Sequence, residues 1–300
     1  MNLFTIKNIN FIQLSRYTLY GSLFIIVFGI ISFFTIGLKT SIDFTGGTII
    51  NLKIVDEKFN ISDLRSALIE ELDDNVKVVK TKSNQNHELL ITMKFLKDEN
   101  ILHNLLSRLY NSQYEILQIE SIGAKIGDEL KTNARNAIII SLILIGLYIT
   151  IRFDSFYAIG SIIALFHDIL ITLSFIIFFQ YELSISIIAA LLTIVGYSLN
   201  DTIVIYDRVR ENVKLLPKGD KIKIVNKSLN KTLNRTLITS ITTLIVVIVL
   251  FLIGGKVLQP FSFALIVGVV VGTYSSLFIA TPAMLILENR YKLEDIEEEI

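Results

Sequence analysis

A chain of 300 residues that is 52% hydrophobic and 19% charged, with a mean hydropathy of +0.60, is not an ordinary soluble domain; it has the composition of a multispanning membrane protein. Cysteine is absent, which excludes a disulfide framework, thiol catalysis and a Cys zinc site. The 28 Lys and Arg balance the 28 Asp and Glu, so the placement of charge carries information and its sum does not.

The first predicted element is an apolar run over residues 17–38, within the ~17–25 residues that a transmembrane helix needs. It is too long for a signal-peptide core, and Thr35-Ile36-Gly37-Leu38 is not an A-x-A-like cleavage site. Residues 1–38 therefore read as a short tail and an uncleaved anchor. A polar insertion follows over 39–133, with the order strand, helix, strand, strand, helix, strand. Ile50, Leu52 and Ile54 alternate with Asn51 and Lys53 in a strand over 48–55. A helix begins after Ser62, with Leu64, Ala67, Leu68 and Leu72 on one face. Strands over 76–80 and 88–95 make a hairpin across Ser83-Asn84-Gln85-Asn86. A second helix after Asp98 places Ile101, Leu102, Leu105 and Leu109 on one face, and the last strand covers 114–120. That order predicts a ferredoxin-like α+β sandwich with one small core.

Five further apolar runs cover 134–151, 156–179, 183–205, 238–253 and 261–287, the last with Pro282 as a kink or stop. The expected fold class is a polytopic α-helical membrane protein: six transmembrane helices, with one extracytoplasmic α+β domain between helices 1 and 2. The membrane block is 134–287, interrupted by a loop over 206–237, and 288–300 form a tail. Residues 207–237 carry nine Lys and Arg against three acids, the N-terminal tail adds Lys7 and Arg16, and the opposite short loops carry only Lys256. By the positive-inside rule both termini and the basic loop are cytoplasmic and the insertion is outside. The same rule explains the basic loop without nucleic acid. Within the loop Ile222, Val225, Leu229 and Leu233 recur at helical spacing, which predicts an amphipathic helix lying on membrane lipid.

Ionisable residues inside spans are costly and mark ion or proton paths. Asp201 lies about 27 Å along its run and Arg208 two turns further on, roughly on the same face. Asp168 lies about 18 Å into the third run, with His167 pointing roughly 100° away from it. Asp201 and Arg208 are read either as a proton-coupled pair or as a static ion pair, with Arg208 snorkelling to the headgroups. His167 is equally a neutral histidine bonded between helices or a relay. Asn200 reads as interhelical glue and Gly196 as a close-packing glycine. Gly46-Gly47, following Asp43 at the membrane exit, supports a tight turn or a hinge. No phosphate-binding glycine loop, H-E-x-x-H motif or other metal signature occurs.

Two segments resemble a known family. Ser41-Ile42-Asp43-Phe44-Thr45-Gly46-Gly47-Thr48 is similar to the signature just outside the first span of the SecD/SecF protein-export membrane proteins. Residues 196–212 (GYSLNDTIVIYDRVREN) are similar to their second signature, in the fourth span. Residues 226–243 (NKSLNKTLNRTLITSITT) resemble the Ser/Thr-rich start of their fifth span. The layout, one large outer domain after span one and then five clustered spans, is similar to that of the family's SecF members. The resemblance implies the resistance-nodulation-division superfamily, the bacterial inner membrane, and energy from the proton motive force with no cofactor, metal or covalent catalysis. It implies a SecD-like partner, the Sec channel and a translocating polypeptide as partners besides membrane lipid. Beside it, the polar groups inside the spans make Asp168, Asp201, Arg208, His167 and Asn200 the proton-coupling candidates, and the resemblance raises the hinge reading of Asp43, Gly46 and Gly47. Two rival readings remain. One is half of a proton-driven efflux transporter, whose usual two six-span halves are not matched by this repeat-free chain. The other is a non-conducting structural scaffold, which would not need Asp168 and Asp201.

Overall fold

The structure, a computed structural model, describes residues 8–55, 59–72, 76–82, 87–94, 96, 98–111, 113–216 and 220–288. Contacts divide the chain into two units, one of Met1–Lys39 with Asn136–Ile300 and one of Thr40–Arg135. The first helix, α1 (Phe11–Thr35), starts where the Asn10 side chain accepts a hydrogen bond from the Gln13 amide at 3.2 Å. This satisfies one of the free N–H groups of the first turn.

The second unit opens on the one-turn α2 (Ile42–Thr45), capped by Ser41 and buried through Ile42 and Phe44. The elements β1 (Gly47–Ile54), α3 (Ile61–Glu71), β2 (Lys77–Lys82), β3 (His87–Met93), α4 (Glu99–Tyr110) and β4 (Tyr114–Ile122) follow. The sheet is antiparallel throughout in the order β2-β3-β1-β4, the ferredoxin-like arrangement expected. Strand alternation decides what lies inside. Ile50, Leu52 and Ile54 of β1 and Leu89 and Ile91 of β3 meet Leu64 and Leu68 of α3 and Leu102, Leu105 and Leu106 of α4 in one core. The buried stripe of α4 is rotated from expectation: Ile101 and Leu109 are exposed, and Leu106 and Tyr110 are inside. The hairpin turn at 83–86, the strand end at Phe95, residues 1–7 and the tail beyond 288 lie outside the described residues.

Gly46 and Gly47 have φ of +73° and +147°. A Cβ at Gly46 would lie 2.9 Å from the Ala124 nitrogen, and one at Gly47 would lie 2.7 Å from the Met93 carbonyl oxygen. Only glycine fits this turn, where the backbone is packed against other backbone. Thr48 continues the anchorage: its hydroxyl lies 2.9 Å from that of Ser121 on β4 and accepts from the Leu96 amide.

The membrane helices are α1, α5 (Ala124–Arg152), α6 (Ser155–Phe178), α7 (Ile185–Leu215), α8 (Lys221–Ile253) and α9 (Gly255–Ser275). The helix of α9 passes through a π-turn, Ser276–Ala280, and the sixth spanning segment ends at Glu288. All six are long and apolar enough to cross a membrane. Three of them, α6, α7 and α9, are half buried or more and form the centre, whereas few residues of α5 are buried.

The helices outrun the apolar runs. The expected surface helix in the 206–237 loop is instead the start of α8, continuous with the fifth span. Val225, Leu229 and Leu233 are buried in the main core with Phe11, Tyr206 and Val209, and only Ile222 remains exposed. The apolar stripe was read correctly, but it is covered by protein, not lipid. Asn212 on α7 donates to the Ser228 hydroxyl on α8 at 2.7 Å, and Asn226 and Asn230 accept from the Ile12 and Ile9 amides at the start of α1.

Candidate functional site

Small residues bring the central helices together. Gly268 and Gly272 lie one turn apart on α9 in the pattern G-x-x-x-G. A Cβ at Gly268 would fall 2.1 Å from Ile194 on α7, and one at Gly272 would fall 2.9 Å from the Ser198 Cβ. Such close approach is how helices associate where lipid removes the hydrophobic driving force. Gly160 does the same for α6, since a Cβ there would lie 2.8 Å from the Tyr206 hydroxyl and 2.9 Å from the Ala280 carbonyl.

Asp168 sits in the space so closed. It is fully buried on α6. Its Oδ2 accepts from the hydroxyls of Ser198 on α7 at 2.6 Å and Ser275 on α9 at 2.8 Å. Its Oδ1 lies 2.9 Å from Nδ1 of His167. Two serines and an imidazole thus surround the carboxyl group. Each can donate to a carboxylate, and each serine has lone pairs for a protonated acid. Although neighbouring helix positions point roughly 100° apart, the His167 ring and the Asp168 carboxyl group are in direct contact.

The network extends in two directions. The His167 ring stacks on Tyr274, with centroids 5.9 Å apart, and its Nε2 is buried without a partner among the described residues. The Tyr274 hydroxyl donates to the Thr18 carbonyl of α1 at 2.6 Å and lies 2.8 Å from the Ser22 hydroxyl. On the other side Ser276 donates to the Ser198 carbonyl and lies 2.9 Å from the Thr202 hydroxyl. The π-turn begins at Ser276 and ends at Ala280. Tyr206 donates to the Ala280 carbonyl at 3.0 Å.

Asp201 stands apart from this network. It is 3% exposed, and its Oδ2 has no hydrogen-bond partner among the described residues. Arg208 does not pair with it. Seven residues put Arg208 on the same face but ~10 Å along the axis, and Glu211, one turn further, is closer. Arg208 accordingly donates to Glu211 at 2.8 Å at a half-exposed surface. The cation whose field reaches Asp201 is Arg235, on α8. Asn200 is exposed and bonds no other described helix, and Gly196 has open space beside it. Neither joins helices among the described residues. Asp43 lies in α2 of the second unit, with its amide 3.3 Å from the Ser41 hydroxyl. The site therefore unites Asp168 and His167, leaves Asp201 separate, and excludes Arg208. Sequence reasoning missed Ser198, Ser275, Tyr274 and Arg235. The G-x-x-x-G pattern at 268–272, directly followed by Thr273-Tyr274-Ser275-Ser276, was the available signal.

Six helices long and apolar enough to cross a membrane, three of them closed around a buried acid, with one ferredoxin-like domain, define a polytopic helical membrane protein. A family model described as protein export membrane protein SecD/SecF, C-terminal, matches residues 102–290. The chain belongs to that SecD/SecF family. It is 38% identical to the protein translocase subunit SecF of Sebaldella termitidis, over 90% of this chain and 89% of that protein. It is also 38% identical to the SecF of Petrotoga mobilis, over 95% and 98%. The crystal structure of SecDF, a translocon-associated membrane protein from Thermus thermophilus, matches with a TM-score of 0.82 and 38% identity over 94% of this chain. The chain spans about two fifths of that SecDF, 39% of its length.

Proposed function

We propose that this chain is a SecF-type accessory subunit of the Sec translocase that works with a SecD-like partner. In this reading it uses the proton motive force to promote movement of a translocating polypeptide through the Sec channel. The relatives named as translocase subunits support the role, and a SecDF chain with room for a second half beside the matched region supports the partner. The observation that carries proton use is Asp168, a carboxyl group buried among α6, α7 and α9 with a titratable His167 on one oxygen and two hydroxyls on the other. Such a group can take and release a proton without losing its hydrogen bonds, because serine hydroxyls rotate between donating and accepting. Asp201, with one oxygen unpartnered, is the second candidate, and its missing partner would come from water or from the SecD-like subunit. The Lys and Arg asymmetry supports cytoplasmic termini and an outer domain over 39–133. Each proton crossing a 100 mV potential supplies about 2.3 kcal/mol, enough to bias a modest conformational change.

The test is pulse-chase export of a secreted reporter in cells whose own copy is replaced by this chain or by its Asp168→Asn variant. At equal abundance the variant should export at the rate that wild type shows when an uncoupler collapses the gradient. Full gradient-stimulated export by the variant would refute the coupling role of Asp168.

A further inference from the structure

The cytoplasmic end proposed for the membrane unit carries a cavity that the proton network does not use. It measures about 440 Å³ and lies between the start of α1, the middle of α6 and the last turns of the sixth span. Its walls are apolar: Ile12 and Leu19 from α1, Ile163 from α6, and Ile279, Ala283 and Ile286 from the sixth span. Arg16 and Tyr20, one turn apart on α1, are the groups of hydrogen-bonding reach that line it with Ser15, whose hydroxyl is held by the Ile12 carbonyl.

Arg16 is exposed and makes no ion pair among the described residues. Lys221, which precedes the cavity-lining Ile222 in the sequence, is paired with Glu288. In the sequence Arg16 immediately precedes the apolar run that starts at Tyr17, so it stands at the level where lipid headgroups meet acyl chains. The apolar wall continues from there into the spanning helices.

We propose that this groove is a binding site for an anionic phospholipid of the bilayer. One acyl chain lies along Leu19, Ile163 and Ala283, and the Arg16 guanidinium holds the phosphate. Guanidinium pairs with phosphate through two parallel hydrogen bonds, and basic pockets between membrane helices on the cytoplasmic side suit such headgroups. Charge complementarity selects this occupant. The apolar face of a partner helix would fill the walls but leave Arg16 without a counter-charge at the membrane surface. The lipid would tie α1 to the end of the sixth span, on the same helix that bears Thr18 and Ser22.

The full-length chain, purified in detergent, is offered equal amounts of phosphatidylglycerol and phosphatidylcholine with matched oleoyl chains, and retained lipid is counted by native mass spectrometry. Phosphatidylglycerol should be retained about fivefold over phosphatidylcholine, the effect of one cation near an anionic headgroup. Arg16→Gln should equalise the two, and Ala283→Trp, which fills the groove, should abolish retention of both. Leu19→Trp, at a more exposed position, repeats the filling test if Ala283→Trp lowers the melting temperature. Equal retention by the wild type, retention unchanged in Arg16→Gln, or retention unchanged by a folded groove-filling variant would each overturn the proposal.

Discussion

Asp168 and Asp201 are both carboxyl groups buried in the central helices, yet their surroundings differ. Asp168 has Ser198 and Ser275 on one oxygen and His167 on the other, contributed by three helices. Asp201 has one oxygen with no partner among the described residues, and the expected Arg208 pairs with Glu211 instead. Burying an unmatched polar atom costs about 1–3 kcal/mol; at Asp201 the unmatched atom is the carboxyl oxygen itself, whereas at the Asp168 site both carboxyl oxygens are matched and the unmatched atom is Nε2 of His167. The difference teaches that the Asp168 carboxyl group is hydrogen-bonded on both oxygens by its own chain, whereas the Asp201 group is not matched in that way among the described residues. Asp201 shares α7 with the exposed Asn200 and Gly196.

The largest expected effect is on the complete site. Asp168→Ala leaves Ser198, Ser275 and His167 without their shared acceptor and should lower stability by about 1–3 kcal/mol, read as a fall in melting temperature in detergent. Asp201→Ala, by contrast, removes an acid with an unpartnered oxygen and should leave the melting temperature of the isolated chain unchanged or higher. Equal losses at both positions would erase the distinction.

Gly272→Leu sharpens the same contrast through packing. Its side chain has no room against Ser198, and overpacking should cost about 1–3 kcal/mol and displace one donor to Asp168. Gly196→Leu, in open space on α7, should not destabilise the isolated chain, although it should weaken association with a partner, measured by co-purification. The smallest effect is expected at the edge of the network. Tyr274→Phe keeps the ring that stacks on His167 but loses the hydroxyl bonds to Thr18 and Ser22. It should cost about 0.5–1.5 kcal/mol, seen as faster hydrogen exchange in the first turns of α1.

Much of this architecture was legible in the sequence, for separable physical reasons. Apolar runs report the length in contact with lipid, so all six spans were readable, but not where helices end. Hydrogen bonding carries α5 back to Ala124 and α8 back to Lys221, through polar segments that hydropathy ignores. Alternation in β1 gave its inward face because a strand has a period of two. The face of α4 came out one position wrong, since Ile101 and Leu109 fit an apolar stripe as well as Leu106 and Tyr110 do. Asp168 and Asp201 stood out as charges in apolar surroundings. Ser198 and Ser275 did not, because a hydroxyl in a span ordinarily bonds its own helix's carbonyls. Only the crossing of α7 and α9 at Gly268 and Gly272 turns them toward the acid. Helical periodicity put Arg208 on the face of Asp201, but a face is not a distance.

Proton flux tests the central claim most directly. The chain is co-reconstituted with a SecD-like partner and the Sec channel in proteoliposomes holding a pH-sensitive dye, and acidification is followed during translocation under an imposed gradient. Asp168→Asn, folded and assembled at wild-type levels, should lose the translocation-linked proton influx while Tyr274→Phe retains most of it. Undiminished influx through Asp168→Asn would contradict the account.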